Sequence, residues 1–193
     1  MKRLLIVVAL AVGFTGSALA QDPAKPDPVP TKAPARPNLD PDNAADDDSA
    51  DLVPGDPAPD FHLDSSLGHE VRRADLIGRW SVLVFDTGRK AFAGLSAVDD
   101  SVRAMGAGLY GVCQDGVGSL VSFAAAQKLA FALLSDPTGE VSQLFGMFDD
   151  DEHQIQPGLV IVNEQGIVRR VLQRPSLHPN DVLLMARQTI RGR

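Results

Sequence analysis

The sequence predicts a three-layer α/β domain in which a mixed central sheet is covered by helices on both faces. Residues 81–85 form a continuous apolar run, which is typical of a strand buried on both faces of a mostly parallel sheet. Apolar residues then recur at helical spacing, alternating with two further short apolar runs. The runs 159–162 and 167–172 flank a short loop ending in Gly166, which predicts an antiparallel hairpin before a closing helix.

Each remaining element has its own local signal. Phe61 and Leu63 alternate with polar neighbours, which predicts a short edge strand after a segment whose prolines forbid a helix. Asn180 is predicted to cap the final helix. The other predicted elements are a helix over 95–105, a strand over 109–112, a helix after position 118, a strand over 131–134 and a helical turn over 141–145.

The first twenty residues have the pattern of a secretory signal. Lys2 and Arg3 precede a short apolar run over 4–12, which is shorter than the ~20 residues that span a bilayer. Small residues at Ala18 and Ala20 predict cleavage before Gln21. We therefore expect an exported protein, periplasmic or extracellular, with no stable membrane insertion after cleavage. An uncleaved anchor is the alternative.

Residues 21–51 are rich in proline and acidic residues and are expected to form a disordered spacer. Their apolar residues are mostly alanine, so they have little to bury against the entropy cost of ordering. We interpret this spacer as an inert tether. The alternative is that it contacts the cell wall or a partner. One folded domain is predicted over 52–193.

Charge and cysteine content limit the function. The net charge of −7 argues against nucleic acid as a partner. Another exported protein remains a possible partner, and the sequence does not predict an oligomeric state. Cys113 is the only cysteine, so the chain has no internal disulfide and the fold depends on its hydrophobic core.

Several motifs at fixed spacing run through residues 52–193. They are Pro54-Gly55-Asp56-x-Ala58-Pro59-Asp60-Phe61-x-Leu63, Leu76-x-Gly78-x-Trp80-x-Val82-Leu83-x-Phe85, Leu133-Leu134-Ser135-Asp136, Val141-Ser142-x-x-Phe145-Gly146, and 158–163 followed by Gly166-x-x-Arg169. In these the chain resembles the alkyl hydroperoxide reductase/thiol-specific antioxidant branch, the peroxiredoxins or redoxins, of the thioredoxin-like superfamily. The resemblance implies a thioredoxin-like fold and thiol-dependent peroxide chemistry.

The family's catalytic motif is missing. Peroxiredoxins carry P-x-x-x-T-x-x-C after this central strand, and the cysteine attacks peroxide as a thiolate. The resemblance aligns the proline with Thr87, the threonine with Ala91 and the cysteine with Gly94. The later arginine that stabilises the thiolate aligns near Pro157. Thioredoxin-like domains also place a cis-proline here, so Pro157 is either cis or a trans proline that begins an edge strand.

Cys113 is the remaining redox candidate. It follows the predicted strand 109–112, and in a parallel sheet this end lies on the same side as the end of Phe85, where ligands bind. There it is either a relocated reactive thiol or a small buried residue. No base or cation near it in sequence favours a thiolate. No cofactor is predicted. The acidic run 149–153 favours a solvated loop over a metal site, and Arg89-Lys90 is either solvated or an anion contact.

These observations predict a redox-inactive exported domain with a binding or scaffolding role. One alternative is a thiol-dependent peroxidase or oxidoreductase, an antioxidant, that uses Cys113. A second alternative is an inactive relic of such an enzyme.

Overall fold

A computed structural model describes residues 52–192 and shows a seven-stranded mixed sheet with the strand order β2-β1-β5-β4-β3-β8-β9. The short strands β6 and β7 form a separate two-stranded hairpin. The strands are β1 His62–Ser65, β2 Glu70–Arg72, β3 Trp80–Phe85, β4 Ala107–Cys113, β5 Ala132–Ser135, β6 Phe148–Asp149, β7 Gln154–Ile155, β8 Gly158–Val162 and β9 Val168–Gln173.

Four α-helices and two 3₁₀ segments connect these strands. The helices are α1 Ser96–Arg103, α2 Val117–Gln127, α3 Glu140–Leu144 and α4 Pro179–Arg191, and the 3₁₀ segments are Arg73–Leu76 and Arg89–Leu95. Among residues 52–192 no helix is long and apolar enough to cross a membrane.

The central strand β3 divides the hydrophobic core in two. Trp80, Val82 and Val84 face a cluster that contains the buried residues of α1, α2 and α4. Leu83 and Phe85 face a second cluster with Phe145, the opening segment and the β1–β2 hairpin. All six residues of β3 are buried, because both faces of the sheet are covered, and the predicted fold class is confirmed. Most of the helical cover lies on the first face.

β3 pairs in parallel with β4 and antiparallel with β8. The carboxyl ends of β3 and β4 therefore lie at one end of the sheet, and their amino ends lie at the other. This arrangement places the loop after Phe85 and the loop after Cys113 side by side.

Two local predictions were wrong, and one element was not predicted. The strand that contains Leu63 lies between β2 and β5, because Glu70–Arg72 adds a further strand outside it. Helix α4 begins at Pro179, with His178 at the N-cap position and no side-chain capping bond, so Asn180 is inside the helix. The hairpin of β6 and β7 has no apolar alternation strong enough to predict it.

Candidate functional site

The candidate site is the loop between β3 and α1, where the resemblance places the catalytic motif. Its 3₁₀ segment, Arg89–Leu95, is anchored by the fully buried ring of Phe92. Gly111 on β4 makes room for this ring, since a Cβ there would lie 2.8 Å from Phe92 Cδ1. The loop is therefore held against the sheet by packing, with its polar residues left at the surface.

Thr87 and Pro157 lie next to each other at the start of this loop. The Thr87 hydroxyl donates a hydrogen bond of 3.1 Å to the carbonyl of Ile155. Phe85 pairs with Gly158, which places Pro157 beside Asp86. No peptide bond within residues 52–192 is cis, so Pro157 is trans and the cis alternative is wrong.

Gly94 occupies the position of the attacking cysteine and is exposed, with the ring of Pro179 at the start of α4 on the side where a Cβ would project. A Cβ built on Gly94 would lie 3.0 Å from Cγ of Pro179, closer than ordinary van der Waals contact. Ala91, in the threonine position, is exposed and carries no hydroxyl. These two positions therefore supply neither a sulfur nor a hydroxyl hydrogen-bond donor.

Arg89 is neutralised by Asp115. The guanidinium of Arg89 forms an ion pair with the Asp115 carboxylate, and the Arg89 backbone N–H donates a 2.9 Å hydrogen bond to the same group. Its Cζ also lies 6.0 Å from the ring centroid of Phe123. The arrangement favours a structural role for Arg89 over the anion contact.

Cys113 is the last residue of β4 and is fully buried. Burial raises the pKa of its thiol to about 12, and the carboxylates of Asp115 and Asp86 add to the rise. A hydrogen bond from the Asp115 backbone N–H lowers the pKa by more than either carboxylate raises it, and the charge of Arg89 lowers it by less, but burial remains the largest effect. At neutral pH the sulfur is therefore a protonated thiol inside the core. This agrees with the interpretation of Cys113 as a small buried residue.

A shallow hollow of about 410 Å³ remains beside the loop, lined by Thr87, Gly88, Arg89, Lys90, Gln114 and Asp115. Cys113 is not among these lining residues, so its sulfur does not face the hollow. Burial raises the pKa of the nearby half-buried Asp86 carboxyl. The hollow thus presents polar and charged surface without a sulfur nucleophile.

Within the acidic run 149–153, backbone N–H groups form hydrogen bonds with an acidic side chain of the same run. The carboxylate of Asp149 accepts hydrogen bonds of 3.0 Å and 2.9 Å from the backbone N–H groups of Asp151 and Glu152. Within residues 52–192 no three His, Cys, Asp or Glu side chains are grouped to hold a metal ion. The structure therefore offers no ligand set at this loop.

Sequence reasoning missed two residues that shape the site. The Gln114 side chain accepts a 3.1 Å hydrogen bond from the Ile155 backbone N–H and donates one of 3.1 Å to the His153 carbonyl. Pro179 lies beside Gly94 although it follows 85 positions later in the chain, and no local pattern predicts this proximity. The position of Gln114 directly after a buried strand was the one available signal for its role.

Taken together, the sheet order and the position of this loop define a thioredoxin-like domain of the peroxiredoxin type that lacks the attacking cysteine. Residues 54–171 match the AhpC/TSA family, and the chain belongs to that family.

Known relatives and solved structures agree with this assignment. Alkyl hydroperoxide reductase C of Pseudomonas aeruginosa is 26% identical over 132 residues, covering 63% of this chain and 68% of the relative. The structure of peroxidoxin BcpB from Mycobacterium tuberculosis superposes with a TM-score of 0.65 at 20% identity, covering 73% of this chain and 97% of that one. Enterococcus faecalis AhpC gives a TM-score of 0.64 at 16% identity, covering 70% and 90%.

Proposed function

We propose that this protein is an exported member of the AhpC/TSA family that does not reduce peroxides and that serves a binding or scaffolding role. The observation that carries the proposal is Gly94, which stands in the position of the family's attacking cysteine and packs against Pro179. Reduction of a peroxide needs a thiolate that becomes a sulfenic acid while an alcohol or water leaves. A second thiol must then reduce that sulfenic acid.

Cys113 does not replace the missing sulfur. Its thiol is buried, and its pKa of about 12 leaves almost no thiolate at neutral pH. It also has no second cysteine in the chain to resolve a sulfenic acid. An enzyme based on Cys113 therefore requires both an opening of the core and an external thiol.

The test is peroxide consumption by the purified chain with dithiothreitol as reductant, compared with its Cys113→Ser variant. We expect both proteins to consume peroxide at the background rate, because neither presents an accessible thiolate. Alkyl hydroperoxide reductase C of P. aeruginosa serves as the positive control for the assay. Substantial turnover that disappears in Cys113→Ser would replace this proposal with the relocated-thiol enzyme.

A third variant, Gly94→Cys, restores the sulfur alone. We expect it to remain inactive and to be destabilised by roughly 1 kcal/mol or more, because the added atoms crowd Pro179. Gly88→Ala is the matched control, since a Cβ there meets no atom within 4 Å. A pull-down from the exported fraction distinguishes the proposed protein from an inactive relic. The proposed protein should retain a specific partner, whereas a relic without a binding role should retain none.

A further inference from the structure

A polar cleft lies at the opposite end of the sheet from the vacated loop. It opens where β4 and β5 begin, between the turn of the β1–β2 hairpin and the last turn of α1. Its volume of about 400 Å³ falls within the range of small-molecule sites. The length of β3 separates it from the vacated loop by about 17 Å, so the two sites are distinct.

Arg79 brings a positive charge to this cleft. Its Nη2 donates a 2.5 Å hydrogen bond to the hydroxyl of Tyr110, and its Cζ lies 5.8 Å from the centroid of that ring. Gly108 lets the guanidinium lie across β4, since a Cβ on Gly108 would be 3.4 Å from Arg79 Cζ. Within residues 52–192 Arg79 forms no ion pair.

Tyr110 adds a buried donor beside this charge. The residue is 4% exposed, and its hydroxyl oxygen accepts the hydrogen bond from Arg79. Within the described part of the chain the hydroxyl proton has no acceptor of its own. Tyr110 lines the cleft, so its hydroxyl can donate this proton to an acceptor bound there.

Three further charged side chains line the cleft, and two of them, Arg103 and Asp99, form an ion pair. Asp99 is buried and accepts a 2.5 Å hydrogen bond from Arg103, which also contacts Asp100 at 2.9 Å. The carboxylate of Asp75 accepts a 2.8 Å hydrogen bond from the backbone N–H of Arg72. Among the described residues that line the cleft, the guanidinium of Arg79 is therefore the cation without a carboxylate partner.

Apolar side chains form much of the remaining lining, together with the exposed His69. Leu67, from the turn of the β1–β2 hairpin, lines the cleft and is 53% exposed. Val71, Phe131 and Ala132 continue this apolar surface toward Tyr110. A ligand that covers Leu67 removes apolar surface from water while its polar end reaches Arg79.

We propose that this cleft binds a small monocarboxylate with an apolar body. The carboxylate accepts hydrogen bonds from the Arg79 guanidinium and the Tyr110 hydroxyl, and the body packs on Leu67 and Phe131. A charge-assisted pair of donors fixes the orientation of a carboxylate better than that of a neutral group. The proposal concerns a different site from the vacated loop and holds whether or not the protein reduces peroxides.

The test is calorimetric titration of the full chain with isocaproate, with isocaproamide and acetate as comparison probes. We expect isocaproate to bind with a dissociation constant of about 1 mM or tighter. Arg79→Gln should weaken this binding about tenfold or more, and Tyr110→Phe about threefold to tenfold, because each removes a hydrogen bond to a charged group. Arg169→Gln, an exposed arginine on the distant strand β9, is the matched control and should bind normally.

Circular dichroism and amide chemical shifts separate loss of binding from loss of folding. A folded Arg79→Gln variant with weakened binding, and isocaproate shifts centred on Gly108 and Phe131, support the proposal. Equal affinity for isocaproamide, unchanged affinity in folded Arg79→Gln, shifts elsewhere in the domain, or no isocaproate binding at about 10 mM would each overturn it. Acetate should bind at least tenfold more weakly, because it lacks the apolar body.

Discussion

The hydrogen of Gly94 faces the ring of Pro179, whose Cγ lies 3.0 Å from the position that a Cβ would take. A cysteine at this position would therefore compete with the first turn of α4 for the same space. Cys113, in contrast, has a sulfur atom, but that atom is buried away from solvent. At the scale of single residues, Gly94 lacks the sulfur atom that peroxide chemistry needs. Cys113 has the sulfur but lacks the solvent exposure and the negative charge of a reactive thiolate.

The raised pKa of Cys113 predicts a pH dependence of stability. The thiol has a pKa near 9.0 in its ordinary state and about 12 in the folded protein, so the unfolded chain releases its proton first as the pH rises. The folded state then binds more protons than the unfolded state, and the free energy of unfolding falls between pH 9.0 and about 12. Below pH 9.0 this contribution is fully present.

Urea unfolding of the wild type and of Cys113→Ala across this pH range measures the effect. The wild type should lose more stability above pH 9.0 than Cys113→Ala, which lacks the titrating thiol. A thiol reagent should leave the native protein unmodified at neutral pH and modify it after unfolding. Parallel pH profiles of the two proteins, or rapid labelling of the native state, would show that the thiol is accessible.

At the scale of secondary-structure elements, one side chain connects the end of β4 with the hairpin of β6 and β7. The Gln114 side chain donates a hydrogen bond to the His153 carbonyl and accepts one from the Ile155 N–H. The hairpin itself has only four residues in its strands. Such a short hairpin is marginal alone, so its order depends on contacts with the domain.

We therefore expect Gln114→Ala to raise amide hydrogen exchange in residues 148–155 while leaving β3 and β4 protected. Gln127→Ala, at an exposed end of α2, is the control and should leave the hairpin unchanged. Hydrogen-exchange mass spectrometry measures both variants. Equal exchange in the two would mean that packing alone holds the hairpin.

A substitution in the central strand β3 is expected to have a larger effect on global stability. Phe85 is fully buried, with its ring centroid 5.5 Å from that of Phe145. Phe85→Ala should lower the free energy of unfolding by about 3–5 kcal/mol, through lost burial and a residual cavity. Asp150→Ala should change it by less than about 0.5 kcal/mol, because Asp150 is exposed. Similar unfolding midpoints for the two variants would contradict the placement of Phe85 in the core.

At the scale of the whole molecule, the family domain follows a segment with a very different composition. The predicted signal and spacer, 1–20 and 21–51, lie outside the described residues, and export remains a prediction. The domain itself belongs to the AhpC/TSA family. The proposed binding role rests on the glycine at the position of the attacking cysteine and on the separate polar cleft.

The export prediction is tested on protein from cells that carry the full sequence. The secreted or periplasmic form should begin at Gln21, because Ala18 and Ala20 are the small residues that a signal peptidase recognises. N-terminal sequencing gives the result, and a variant with Ala20→Arg is the control that should accumulate uncleaved. Retention of Met1 on the exported protein would contradict the predicted cleavage.

The sequence by itself determined the fold class, the central strand and the absence of the catalytic motif. A run such as 81–85 predicts its own burial, and a missing cysteine is visible without coordinates. Only the tertiary structure decided that Pro179 lies beside Gly94, that Cys113 is buried in the core and that Arg79 reaches Tyr110 across Gly108. These contacts join residues distant along the chain, whereas periodicity reports only which face of its own element a residue occupies.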